Sequence, residues 1–94
     1  MPQGFKYLNV NATTAGTLIK TGAGVLHAIC VNQKSGTSTD TMTVYDNTAA
    51  SGTIIGTINL SAGQDVLLYD VAFQTGLEVK CTITATADLT IVYL

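Results

Sequence analysis

Histidine moves protons near neutral pH more readily than any other side chain, and this chain has one, His27. A nucleophilic mechanism would set it beside a serine or cysteine, with a carboxylate orienting the ring. Cys30 is the nearest partner. Three residues along an extended strand, however, put His27 and Cys30 on opposite faces about 10 Å apart. No GxSxG nucleophile motif is present. His27 therefore reads as a structural or interface residue. The carboxylates Asp40, Asp46, Asp65, Asp70, Glu78 and Asp88 stand singly, mostly at strand ends where aspartate closes turns. A glycosidase pair assembled by folding stays open. No loop gathers Asp and Asn at calcium-loop spacing. Cys30 and Cys81 have neither a CxxC partner nor a histidine cluster for zinc. The glycines at 22, 24 and 36 precede no helix that would cradle phosphate. The expectation is a non-enzymatic protein with no metal site and no cofactor.

The elements that would position these side chains are strands. Residues 42–58, MTVYDNTAASGTIIGTI, read as strand, polar turn and strand. Met42 and Val44 alternate with Thr43 and Tyr45, Asp46, Asn47, Ser51 and Gly52 supply turn chemistry, and Ile54, Ile55 and Ile58 resume a β-branched run. No segment has helical periodicity, and the one proline is Pro2. Strand-like runs fall at 5–10, 14–20, 24–33, 41–46, 53–60, 65–71, 77–84 and 89–94. They are separated by turn clusters such as 21–24, 34–40, 61–65 and 84–88. The expectation is one all-β domain over 1–94, a β-sandwich or jelly roll of about eight short strands. Leu77, Val79, Cys81 and Ile83 should face the core, with Glu78, Lys80, Thr82 and Thr84 outside. The run Val25-Leu26-His27-Ala28-Ile29-Cys30-Val31 is apolar on both faces. It is either a covered central strand or a subunit interface, and Val25, Leu26, His27, Ala28 and Ile29 are the candidate interface residues. An apolar run ending at Leu94 would fray unless paired in a sheet. Residues 11–19 and 47–55 share a pattern of Asn, small residues, Gly-Thr and two aliphatics, either a duplicated half-sandwich or, the reading favoured because the sequences diverge on both sides, one turn-to-strand solution used twice.

Composition narrows the partners. Apolar residues make up 47% of the chain but charged residues only 11%, with sixteen threonines and no arginine, against roughly 25% charged in average proteins. Either threonine hydroxyls cover a soluble β-domain, or much of the surface is buried against other chains. A net charge of −2 with four scattered lysines argues against nucleic acid. No apolar run is long enough for a transmembrane helix. The first eleven residues lack the apolar core of a signal peptide, so synthesis in the cytoplasm and free thiols at Cys30 and Cys81 are expected. The Asn11 and Asn59 sequons carry no weight in that setting. Sugar binding is the competing reading. It calls for an exposed aromatic platform, and without tryptophan the candidates are Tyr45 or Tyr69 beside carboxylates.

Four stretches, GAGVLHAICVN at 22–32, TVYDNTAASGTIIGTI at 43–58, YDVAFQTGLEVKC at 69–81 and ADLTIVYL at 87–94, resemble a group of short virion proteins of tailed bacteriophages and prophages. The shared features are a GxLH strand, a YDNTAxSGT turn, an F-x-T-G-L turn and an alternating last strand. The resemblance implies a β-sandwich virion protein without catalytic residues. The implied role is capsid decoration (cement), with the major capsid protein or other virion proteins as partners. A tail or host-adsorption component with carbohydrate-binding activity is the alternative. The scarcity of charge and the doubly apolar 25–31 strand, together with this resemblance, lead to the expectation of a homo-oligomer, and a trimer would match the local threefold positions of an icosahedral shell.

Overall fold

The computed structural model describes residues 4–62 and 65–94. Eight strands run in chain order: β1 (Lys6–Val10), β2 (Thr14–Thr21), β3 (Gly24–Gln33), β4 (Thr41–Tyr45), β5 (Ile54–Asn59), β6 (Val66–Phe73), β7 (Gly76–Thr82) and β8 (Asp88–Tyr93). They form two four-stranded antiparallel sheets packed as a β-sandwich. Sheet A has the order β1-β8-β3-β6 and sheet B the order β2-β7-β4-β5. The pairing is nested: β4 with β5, β3 with β6, β2 with β7 and β1 with β8. The chain is thus one long hairpin rolled into a sandwich, the jelly-roll arrangement, with the 46–53 turn at its tip. Gly63 and Gln64, expected in the reversal before β6, lie outside the described residues, as does Pro2.

Alternation accounts for the core. Met42 and Val44 of β4 and Leu77, Val79 and Cys81 of β7 point inward from sheet B. Val10, Leu26, Ile29, Val31, Leu89 and Ile91 meet them from sheet A, and Phe73 closes one end. The last strand is not frayed, because β8 pairs β1 on one side and β3 on the other. Strand β7 stops at Thr82, short of the expected Thr84. There the Ile83 N–H donates to Thr13 Oγ1 and the Thr84 N–H to Asp40, so side chains replace the ladder. β6 instead runs on to Phe73, which is buried opposite Gly24.

Glu78 keeps its expected face on β7 but not its expected exposure. It lies on the outer side of sheet B as expected, yet is only 7% exposed. Ala50, from the hairpin tip, and Gly16, on β2, cover it. A Cβ built at Gly16 would come 2.8 Å from Glu78 Oε2 and 3.4 Å from the Ala50 Cβ, so the bare glycine makes the room. The two look-alike segments also part here. Gly16 lies within β2, whereas Gly52 sits in the tip turn at φ +85°, a left-handed conformation that glycine adopts without strain.

Candidate functional site

Four aspartates, Asp40, Asp46, Asp70 and Asp88, organise the polar groups, and the first two serve the fold. Asp40 is wholly buried between the β3–β4 and β7–β8 connections. Ser35 Oγ donates to its Oδ2 at 2.6 Å, Thr84 Oγ1 to its Oδ1 at 2.7 Å, and the Thr84 and Ala85 N–H groups to Oδ2 at 2.9 and 3.1 Å. Burial pushes the carboxyl up, but these four donors outweigh it and hold the pKa down at about 2. Asp46 accepts from the N–H groups of Thr75 at 2.9 Å, Gln74 at 3.1 Å and Gly76 at 3.4 Å. Those bonds, Thr75 first, lower its pKa. Asp46 thereby ties the YDNTA turn to the F-x-T-G-L turn, two motifs almost thirty residues apart that turn out to be one unit.

The outer face of sheet A holds the remaining chemistry. Leu26 and Ile29 are both wholly buried although they are three residues apart. The register explains it: β3 shifts between Leu26 and Ala28 against both β8 and β6, so His27 is a bulge and the alternation resets after it. His27 and Cys30 therefore share the outer face rather than opposing each other as expected from a regular strand. The matching distortion on β6 is Asp70, at φ +48° the one non-glycine residue with positive φ among the described residues. Its Oδ1 lies 2.5 Å from His27 Nδ1, and Phe5 stacks on the imidazole with centroids 4.3 Å apart and planes at 16°. Among the described residues no hydroxyl or thiol is hydrogen-bonded to this ring. It is an oriented histidine without a nucleophile.

The expected interface residues divide accordingly. Val25, His27 and Ala28 belong to the outer face, while Leu26 and Ile29 are core side chains. Ala28 is centred in a row Tyr7–Val92–Ala28–Leu68 that crosses all four strands. Tyr7 and Leu68 at its ends are 72% and 68% exposed. Val66, Leu68 and Val71 make β6 an apolar edge strand.

The Asp88 cluster lies on the β1–β8 side of this face. Asn9 Nδ2 and Asn32 Nδ2 donate to Asp88 Oδ1 at 2.7 and 2.8 Å, and Asn32 Nδ2 also donates to Thr90 Oγ1 at 2.8 Å. Asn32 reaches it because a second register shift, between Val31 and Gln33 against β8, makes it the extra residue. Its amide first, then that of Asn9, lowers the Asp88 pKa. Sequence reasoning missed this cluster, since its members lie up to 81 residues apart. The expected aromatic platform also moves. Tyr45 and Tyr69 are half-buried, and the Tyr69 hydroxyl lies against Gly56. Tyr7 is the exposed tyrosine.

Neither Cys30 nor Cys81 is in a disulfide, and burial, helped by the Asp40 charge, pushes the Cys81 thiol up to about 11. Among the described residues no three His, Cys, Asp or Glu side chains gather as a metal site would require. The fold and these clusters define a jelly-roll β-sandwich with one aromatic and polar outer face. Comparison with protein families, with curated proteins and with solved structures finds no match to this chain.

Proposed function

We propose that this protein is a non-enzymatic structural subunit of a tailed-phage particle, a head decoration subunit that self-associates and binds the major capsid protein. The observation that carries the reading is the β6 side of sheet A. Val66 and Leu68 are 53% and 68% exposed on the outer face of an eight-residue edge strand, beside Cys30 and the covered Ala28, while Val71, paired with core Leu26, is 36% exposed on the inner side of the same edge. In a free monomer such an edge invites uncontrolled pairing. In a particle, contact with neighbouring subunits removes it from water. The scarcity of charge, the lack of arginine and the four motif stretches support the same reading, and a closed ring on a threefold position is the arrangement that fits a shell.

Light scattering and co-sedimentation with undecorated heads test it. The wild type should form a small oligomer, a trimer for this reading, and pellet with the heads. Leu68→Asp, on the exposed outer side of β6, should weaken both, because an unpaired charge buried at a contact costs several kcal/mol; Ala28, only 5% exposed in the lone chain, would report on folding instead. A monomer at high concentration that ignores heads would end the proposal. Ile29→Asp is no substitute for this test, since that side chain is in the core.

A further inference from the structure

The Asp88 cluster differs from the other polar groups in what it leaves unused. Both hydrogens of each amide are committed: Asn9 Nδ2 donates to Asp88 Oδ1 at 2.7 Å and to the Leu89 carbonyl at 3.0 Å, and Asn32 Nδ2 donates to Asp88 Oδ1 and Thr90 Oγ1, both at 2.8 Å. Among the described residues nothing donates to Asn9 Oδ1, Asn32 Oδ1 or Asp88 Oδ2. Thr90 Oγ1 accepts from an amide and keeps its own O–H to give. Three acceptors and one donor are therefore held in place by bonds among themselves, and order is already established before any ligand arrives. Next to them stands an aromatic ring. Tyr7 lies two residues from Asn9 on the same face of β1, about 7 Å along the strand, and is 72% exposed.

This inventory selects a ligand class. A phosphate or other anion would meet an acceptor-rich edge containing a carboxylate, so it is repelled. A hard divalent cation would find only one carboxylate. A sugar ring fits both halves. Its hydroxyls are donors for the three oxygens and acceptors for Thr90, and its C–H face carries the partial positive charge that the negative face of a tyrosine ring attracts. The cluster spans β1, β8 and β3, about 10 Å across, a footprint for one or two rings.

We infer that the face formed by Tyr7, Asn9, Thr90, Asp88 and Asn32 is a carbohydrate-binding site, taking a neutral pyranose stacked on Tyr7 with adjacent hydroxyls bonded to Asn9, Asp88 and Asn32. The site lies on the β1–β8 side of sheet A and leaves the β6 side for subunit contact, so it goes beyond the structural role and does not depend on it.

The test is an array of bacterial surface polysaccharides with the full chain. Saturation-transfer NMR with methyl α-glucoside, methyl β-galactoside, methyl α-mannoside and N-acetylglucosamine accompanies it. At least one sugar should bind, weakly as a single ring and more tightly as a polymer. Tyr7→Ala and Asn32→Ala should each weaken it about tenfold or more with the melting temperature held. Tyr7→Phe, which keeps the stacking face, should retain it, and Tyr45→Phe should change nothing. Failure of every glycan to bind the wild type overturns the site. So does unchanged binding by Tyr7→Ala, or a Tyr7→Ala protein that loses self-association or capsid binding while no sugar binds the wild type, which would make this face a protein contact.

Discussion

Asp40 and Asp88 are both aspartates at strand ends whose partners are small polar side chains, yet their surroundings make them opposites. Asp40 has no exposure, and backbone N–H groups of Thr84 and Ala85 supply half of its four donors. Those amides belong to a turn that has nowhere else to place them, so the carboxylate completes the fold. Asp88 receives only side-chain amides, on an open sheet face. Here the fold needs little from the carboxylate, and acceptors remain for something outside. Burial and the origin of the donors separate a structural carboxylate from an available one, where residue type alone does not.

The contrast breaks most visibly by truncation. Asp40→Ala removes the partner of Ser35 Oγ, the Thr84 hydroxyl and two part-buried N–H groups, and should lower the melting temperature by about 10 °C or more in a thermal melt. Asp40→Asn, which keeps the shape, should cost less. An Asp40→Ala protein as stable as the wild type would remove the structural role.

Acid is the next probe. The folded pKa of Asp40 lies at about 2, below its ordinary 3.8, so its contribution is fully present above about pH 4 and is lost as pH falls toward 2. Asp46 and Asp88 are shifted in the same direction and add to the slope. Melts between pH 5 and 2 should show wild-type stability falling, with a flatter profile for Asp40→Asn.

The Asp40 charge also reaches Cys81. With its thiol raised to about 11 by burial and by that charge, Cys81 should not react with a thiol reagent in the native state, while half-exposed Cys30 should. Titration should find one group in native buffer and two after denaturation. None in denaturant would mean a disulfide.

The smallest effect is the sharpest for the comparison. Asp88→Ala should change the melting temperature by less than about 2 °C, because no buried backbone donor depends on it. A loss as large as that of Asp40→Ala would place Asp88 among the structural carboxylates and weaken the case for a ligand there.

The eight strands were legible because each rests on local alternation and on turn residues within a few positions, as in Met42, Val44 and the Asp46–Gly52 turn. The outer face of sheet A was not. His27 and Cys30 came out on the same side through one bulge, and a single inserted residue inverts every side chain beyond it on one strand. Tyr45 and Tyr69 looked as available as Tyr7 until the sheets closed on them.

By itself, then, the sequence determined an all-β chain with its strand boundaries nearly in place, since period-two hydrophobicity and turn chemistry are properties of neighbours. Only the tertiary structure decided that Glu78 would be covered, that Asp40 would be enclosed, and that Asn9 would meet Asp88 from 79 residues away. Those outcomes depend on nested pairing between distant strands. The pairing is chosen by the burial of both sheets together, not by any one segment.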